Sequence, residues 1–146
     1  MLRAYKYRIY PNEEQKVMFA KTFGCVRFVY NWALETKSRL WKEEKKNISC
    51  YDLQALMAAT LKKENEWLNE VSSHALQFSI KNMDKAYQNF FKHGARFPNF
   101  RSRHDRQAFH SDQTHSVDFE KGLMHISKIR NIKTVFHRTF KGTIKD

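Results

Sequence analysis

The 146-residue chain is long enough for one ordinary domain or two small ones, and its 41% of hydrophobic residues can build a core. The composition excludes a membrane-spanning helix, because no run of about 18 apolar residues occurs, and the start of the chain lacks the apolar core of a signal peptide. We therefore expect a cytoplasmic protein without a membrane partner. Cys25 and Cys50 stand apart from each other, which predicts buried, reduced thiols.

The formal charge of +12 is concentrated at the two ends of the chain. Residues 1–10 carry three basic and no acidic side chains, residues 11–91 carry 12 basic and 10 acidic, and residues 92–146 carry 12 basic and five acidic. Excess positive charge raises the affinity for polyanions by releasing their counterions, so the ends predict salt-dependent binding of nucleic acid. A generally basic surface without such a partner is the alternative.

The first predicted elements are a strand and a well-specified helix start. Residues 2–10 alternate imperfectly between apolar and basic side chains and are rich in tyrosine, which favours a half-buried strand. Pro11 ends this strand. Asn12 is the predicted N-cap of the following helix, and Gln15, three residues later, completes a capping box.

Apolar residues between positions 18 and 34 predict two packed helices that break at Gly24, which is a helix-turn-helix arrangement. The second of these helices carries Arg27, Tyr30 and Asn31. From Lys37 onward the charges are dense and of mixed sign, which is typical of a solvated helix end.

A further helix begins at a second capping box, Ser49 with Asp52, and is expected to end near Lys63. Trp67 and Leu68 then come before the longest regular pattern in the chain. We predict that both side chains fill the core.

That pattern lies in the stretch Trp67–Lys92 and predicts a helix that begins after Ser72 or Ser73 as its N-cap and ends before Gly94 as its C-cap. One apolar stripe recurs at helical spacing and consists of Leu76, Ile80, Met83, Tyr87 and Phe90. The opposite face presents the amide and ammonium donors that suit nucleic acid, namely His74, Gln77, Lys81 and Lys85. With it, we count four helices between Asn12 and His93.

The segment after Gly94 mixes arginines with phenylalanines, and Pro98 excludes a continuous helix there. Arginine forks pair with phosphate oxygens, so we predict that this segment contacts phosphates through Arg96, Arg101, Arg103 and Arg106. Its rings, Phe97, Phe100 and Phe109, can stack on bases or fill the core, and both possibilities stay open.

The last third of the chain predicts antiparallel strands. Residues 116–127 form a hairpin pattern whose turn holds Glu120, Lys121 and Gly122. Residues 132–137 predict one more strand, and a basic stretch over residues 138–146 follows.

No sequence pattern points to catalysis. A metal-dependent nuclease needs clustered carboxylates, and a zinc site needs closely spaced thiols or imidazoles. The carboxylates of the helical middle fall at positions explained by helix caps or solvated faces, and the seven histidines lack a ligand spacing. The sequence therefore predicts neither a catalytic residue nor a bound metal in this chain.

Five blocks, in order, resemble the N-terminal half of the TnpB (OrfB) proteins of bacterial insertion sequences, which are RNA-guided DNA endonucleases once described as transposases. They are YKYRIYPNEEQ, GCVRFVYNWAL, WLNEVSSHALQFSIKNMDKAYQNFFK, RFPNFRSR and IKTVFHRTFKGTIK. The resemblance implies an α+β fold in which a recognition lobe of about four helices is inserted into a small wedge-like antiparallel β-barrel. Residues 1–10 would be the first barrel strand, residues 11–93 the helical lobe and residues 94–146 the rest of an incomplete barrel.

The resemblance also implies partners, namely a structured guide RNA, its heteroduplex with target DNA, and a short motif beside the target. His74 and Gln77 would lie near that motif, and glutamine can bond adenine bidentately. Ser73 stands where a longer basic side chain often occurs. With the basic residues above, the predicted nucleic-acid-binding set is Arg3, Lys6, Arg8, Arg27, Tyr30, Asn31, His74, Gln77, Lys81, Arg96, Arg101, Arg103, Arg106 and Arg138.

Members of that family continue into a RuvC-like nuclease with an Asp, Glu, Asp metal site and usually a zinc ribbon. This chain ends at Asp146, so we expect no cleavage by it, with magnesium and zinc bound only by the C-terminal half. Two other functions are open. One is a stand-alone helix-turn-helix DNA-binding protein or repressor, in which Arg27, Tyr30 and Asn31 enter a major groove. The other is a subunit that docks onto a separately encoded nuclease half.

Overall fold

The computed structural model describes residues 1–111 and 115–145, and it combines a helical body with one antiparallel sheet. The helices are α1 (Glu13–Glu44), α2 (Cys50–Leu56), α3 (Lys62–Glu64) and α4 (Ser73–His93), with a π-helical stretch at Met57–Leu61 and a 3-10 helix at Glu66–Glu70. The strands are β1 (Arg8–Tyr10), β2 (Ser116–Asp118), β3 (Leu123–Ile126) and β4 (Ile129–Val135). The α+β class is therefore confirmed.

Helix α1 begins at the predicted capping box. The Asn12 side chain accepts from the Gln15 backbone N–H at 2.8 Å, and the Gln15 side chain accepts from the Asn12 N–H at 2.9 Å. The helix then runs through Gly24 without a break, so the predicted pair of helices is wrong. Cys25, Val26 and Val29 are buried directly after this glycine, and their burial outweighs the cost of about 1 kcal/mol for glycine inside a helix.

Lys37 is buried and does not lie on a solvated helix end, which corrects the prediction for this part of α1. The residue is only 8% exposed, and its ammonium donates to Asn47 Oδ1 at 2.9 Å and to the Ile48 carbonyl at 2.8 Å. The Asp84 carboxylate of α4 lies 3.9 Å away. Lys37 thus joins α1, the loop before α2 and α4, because a buried ammonium must find several acceptors.

Helix α2 begins at the predicted N-cap, with the Ser49 hydroxyl accepting from the Asp52 N–H at 3.1 Å, but Asp52 does not return the second bond of the predicted capping box. Helical structure continues through the π-helical stretch and α3 to Glu64, close to the predicted end. The structure therefore has three long helical segments, namely α1, the continuous stretch from α2 to α3, and α4, where we predicted four helices. Leu68 is fully buried as predicted, but Trp67 is 44% exposed and packs edge-to-face against Phe28.

Helix α4 buries its predicted stripe against α1. Four of the five stripe residues, Leu76, Ile80, Met83 and Tyr87, are buried, whereas Phe90 is only half-buried. Gly94 ends the helix in the left-handed conformation expected of a C-cap. The Ser79 hydroxyl donates to the Val26 carbonyl at 2.7 Å, and further along both helices the hydroxyls of Ser38 and Tyr87 lie 3.4 Å apart. The two helices therefore run in the same direction.

The strands form an open sheet in the order β1-β4-β3-β2, with every neighbouring pair antiparallel. The predicted hairpin is present as β2 and β3, and β4 starts three residues before the predicted strand. Only Arg8–Tyr10 of the first predicted strand pairs in the sheet. Gln15 connects the sheet to α1 by donating to the carbonyls of Arg130 and Asn131 at 2.7 and 3.0 Å. Of the predicted basic stretch at the end, Asp146 lies outside the described residues.

Two glycine substitutions test whether α1 is continuous. Gly24 has no heavy atom within 4 Å of the position that a Cβ would take, and its φ is not positive, whereas Gly94 has φ +65°. We expect Gly24→Ala to raise the free energy of unfolding by about 0.5–1 kcal/mol. Gly94→Ala is the control and should lower it by about 1 kcal/mol in urea titrations. A comparable loss of stability in both variants would indicate a turn at Gly24.

Candidate nucleic-acid interface

Residues 95–111, which we call the strap, connect α4 to the sheet and lie along α1. Asn31 of α1 holds the middle of the strap through two hydrogen bonds to one residue. Its side-chain amide donates to the Arg101 carbonyl at 3.0 Å, and its side-chain oxygen accepts from the Arg101 N–H at 2.7 Å. The Arg101 guanidinium also lies 3.9 Å from the centre of the Tyr30 ring. This segment without regular secondary structure is therefore fixed at its centre.

Aromatic rings hold the strap on either side of Arg101. Phe97 packs edge-to-face against Tyr87 at 5.3 Å between ring centres, and Phe109 packs against Phe23 at 5.5 Å. Phe109 is half-buried and contacts the core, whereas Phe100 is 61% exposed. Of the two roles left open for these rings, core packing explains Phe109, whereas Phe97 packs against Tyr87 and is still 45% exposed.

The strap presents an arginine-rich surface. It contains four arginines and one acid, Asp105, for a formal charge of +3. The Asp105 carboxylate accepts from the Ser102 N–H at 2.8 Å, which closes a tight turn beside the arginines. Three of the four arginines are exposed, namely Arg96, Arg103 and Arg106.

A small pocket lies between α1 and the strap. Its volume is about 20 Å³, and Arg27, Arg101 and Arg106 contribute to its lining. Asp105 belongs to the same lining, so the pocket has room for one water-sized group beside side chains of both charges. The structure thus brings Arg27, which the sequence placed on the second helix of the predicted helix-turn-helix, close to two of the strap arginines.

A second donor-rich surface lies on α4, where Gln77 and Lys81 are exposed and His74 is half-buried. Phe78 organises it, because His110 of the strap stacks on this ring at 3.9 Å and the Lys81 ammonium lies 5.5 Å from its centre. Sequence reasoning missed His110, although its place in an arginine-rich and phenylalanine-rich segment was a signal. Through His110 the strap reaches the α4 surface.

The remaining predicted residues lie in β1, in the segment before it and in the segment after β4. Arg3, Lys6, Arg8 and Arg138 are all exposed. The Arg138 guanidinium lies 5.0 Å from the centre of the Tyr5 ring. These segments therefore carry their own combination of cations and rings.

Tyr30 and Asn31 are engaged within the protein. Tyr30 is buried under the Arg101 guanidinium, and the Asn31 amide bonds the strap backbone. Both side chains therefore position the strap in this structure, and neither projects from α1 as a groove-reading residue would.

The surroundings of Cys25 make its thiol less acidic than a free cysteine. Burial raises the pKa of the Cys25 thiol, and the nearby Glu70 carboxylate adds to that rise while Lys21 opposes it. Both cysteines are free. Within residues 1–111 and 115–145, no three His, Cys, Asp or Glu side chains are grouped to hold a metal ion, and no helix is long and apolar enough to cross a membrane.

Residues 1–46 match the family model of the OrfB/IS605 type, described as a helix-turn-helix domain. In this structure the matched residues contain β1 and the single helix α1. A protein of Streptomyces pristinaespiralis, provisionally named an RNA-guided DNA endonuclease, is 35% identical over 86% of this chain and 32% of its own length. InsQ of Escherichia coli, provisionally named in the same way, is 30% identical over 99% of this chain and 36% of its own length. The chain thus spans about a third of each.

A third relative is shorter, and the match with this chain covers almost its whole length. The virulence protein VsdF of Salmonella dublin is 36% identical over 73% of this chain, and the match covers 98% of VsdF. Nearly all of that relative therefore corresponds to part of this chain.

Asn31→Ala should release the strap. It removes both hydrogen bonds to Arg101, so we expect the free energy of unfolding to fall by about 1–3 kcal/mol in urea titrations. Trypsin should then cleave after Arg101, Arg103 and Arg106 faster than in the wild type. Asn99→Ala changes an exposed asparagine of the same segment and is the control. Equal stability and equal cleavage rates in the two variants would contradict this role of Asn31.

Proposed function

The chain belongs to the TnpB (OrfB) family, and on that premise we propose that it is a nucleic-acid-binding module of a TnpB-like, transposon-encoded RNA-guided DNA nuclease. Its proposed ligands are a structured guide RNA and target DNA with the adjoining short motif. The relatives that carry the name of RNA-guided DNA endonuclease support the class of ligand. The match to a helix-turn-helix domain of the OrfB type supports contact with DNA.

The observation that carries this proposal is the fixed, arginine-rich strap. Arg103 and Arg106 are exposed on a segment whose centre is held by Asn31, so their positions relative to α1 are restricted. Preorganised guanidinium groups lose less side-chain entropy on pairing with phosphate than freely moving ones do. An arginine surface of this kind binds the phosphate backbone of either polynucleotide and does not by itself read sequence.

Base recognition is assigned to the α4 surface. Gln77 is exposed there and has the paired donor and acceptor that match the edge of adenine in a major groove. Lys81 lies one turn further along the same face and can contact an adjacent phosphate. We therefore propose that Gln77 reads a base of the motif beside the target, while the guide reads the target by pairing.

The open sheet supports the part of the proposal that concerns a nuclease partner. β1 and β2 lie at its two edges, and an edge strand offers unpaired backbone donors and acceptors to another strand. Strands from a nuclease half, on the same or a separate polypeptide, would extend this sheet towards the wedge-like barrel that the resemblance implies.

A stand-alone helix-turn-helix repressor is less well supported. It needs side chains of the second helix to enter a groove, yet Tyr30 is buried and Asn31 bonds Arg101. It also needs a turn between two helices, and α1 passes through Gly24.

Removing two strap arginines should change the salt dependence of binding. We expect Arg103→Ala combined with Arg106→Ala to reduce the slope of log affinity against log salt concentration by about two, roughly one per lost phosphate contact. Fluorescence anisotropy with labelled duplex DNA and hairpin RNA measures both slopes. Lys16→Ala combined with Arg39→Ala removes the same charge from residues paired with Glu13 and Glu35 and is the control. An unchanged slope in the strap variant would remove the strap from the interface.

The chain by itself should not cut nucleic acid. Hydrolysis of a phosphodiester with two metal ions needs carboxylates that hold both ions, and the resemblance assigns these to the RuvC-like half. Incubating the purified chain with single-stranded and duplex DNA and magnesium should leave both substrates intact on a denaturing gel. Magnesium-dependent cleavage that co-purifies with the chain would refute this part of the proposal.

A further inference from the structure

Two lysines from distant parts of the chain meet at the start of α4. The Lys62 ammonium, from α3, donates to the Ser73 hydroxyl at 3.1 Å. The Lys128 ammonium, from the turn between β3 and β4, donates to the Asn69 carbonyl at 3.0 Å. Ser73 is the first residue of α4, and Asn69 precedes it by four positions. The helical body and the sheet thus each contribute one cation to the same place.

The positive charge at this place is not neutralised by a nearby acid. Burial lowers the pKa of Lys62, and the positive charge of Lys128 lowers it further. In the parts of the chain that the structure describes, no carboxylate lies within salt-bridge distance of either ammonium. The acid closest to Ser73 in sequence, Glu70, pairs with Lys21 at 3.2 Å. The N-terminal end of α4 adds the positive pole of a 21-residue helix.

Polar groups without partners lie at the same helix start. Ser72 is the N-cap residue, yet its hydroxyl makes no capping hydrogen bond, and the residue is only 5% exposed. That hydroxyl and Nε2 of His74 are buried and have no hydrogen-bond partner. The first backbone N–H groups of a helix also lack acceptors within the helix. Ammonium, hydroxyl and backbone N–H groups can all donate, so a group rich in acceptor oxygens would satisfy them together.

We propose that Lys62, Lys128 and the first turn of α4 bind a backbone phosphate of nucleic acid. This inference rests on the proposed function and deepens it, because Gln77 lies one helical turn beyond Ser73 on the same exposed face. A phosphate held at the helix start would set the distance between the polynucleotide backbone and α4. It would thereby determine which base edge Gln77 reaches, so Lys62 and Lys128 are positioning residues for the base contact.

Two probes separate this site from the strap. The first is inorganic phosphate, added to the full chain while backbone amide resonances are recorded by NMR. We expect the resonances of residues 73–75 to shift in the wild type and to stay unchanged in Lys62→Gln combined with Lys128→Gln. Phosphate should also raise the pKa of Lys62, because a bound anion stabilises the charged ammonium. A merely structural lysine would not show that rise.

The second probe is duplex DNA. We expect the double glutamine variant to bind roughly tenfold more weakly, with a salt slope reduced by about two. Lys42→Gln combined with Lys46→Gln removes the same charge from exposed lysines near the end of α1 and is the control. Circular dichroism will show whether the glutamine variant is folded. If it is not, Lys62→Arg combined with Lys128→Arg is used instead, because it retains both charges. This arginine variant should retain the phosphate response and the DNA affinity of the wild type.

Each outcome distinguishes this inference from the proposed function. If the double glutamine variant binds DNA as tightly as the wild type does, the phosphate site is overturned and the proposed function still stands. A response to inorganic phosphate without any effect on DNA affinity overturns the assignment to a nucleic-acid backbone. Failure of the wild type to bind either DNA or RNA at low salt overturns the proposed function, and this inference with it.

Discussion

The packing of α4 against α1 is the constraint on which the rest of the structure depends. Its centre is the hydrogen bond from the Ser79 hydroxyl to the Val26 carbonyl, surrounded by buried apolar side chains of both helices. Most buried hydroxyls in proteins are paired, and this bond across the two helices favours one register between them. With that register set, the stripe of α4 faces α1, and Gln77 and Lys81 face outward. The orientation of the candidate base-reading surface is thus a consequence of core packing.

The strap extends the same frame without secondary structure of its own. Asn31 replaces the missing backbone pairing by bonding both the N–H and the carbonyl of Arg101, much as a neighbouring strand would. Rings at both ends of the strap contact the helices, and His110 carries it across to Phe78 of α4. Flexible arginines become a surface of defined shape in this way. Such a surface suits the regular spacing of phosphates along a polynucleotide better than a mobile basic tail does.

Lys37 and Lys62 differ in how the protein itself satisfies their charges, and this difference distinguishes a structural lysine from a candidate ligand-binding one. Lys37 is buried among two oxygen acceptors and lies near the Asp84 carboxylate, so the protein itself satisfies its charge. Lys62 has the Ser73 hydroxyl and lies near another cation, so the protein leaves its charge uncompensated. An ammonium without an acidic partner destabilises the folded state unless an anion binds to it. Functional sites commonly carry such local costs.

Local signals in the sequence determined much of this protein on their own. The capping box at Asn12, the cap at Ser49, the stripe of α4 with Gly94 after it, and the hairpin of β2 and β3 each depend on neighbours within a few residues, and each appears in the structure. The arginines of the strap were also evident as candidate phosphate ligands, because charge density is a property of sequence.

Only the tertiary structure decided the rest. Gly24 stays helical because the residues beside it are buried against α4, which outweighs its low propensity. Tyr30 and Asn31 support the strap through contacts with Arg101, about 70 residues away in the chain. Lys62 and Lys128 come together only when the sheet meets the helices. Composition and periodicity report what a residue can do with near neighbours, whereas long-range packing selects which acceptor, ring or ligand each side chain reaches.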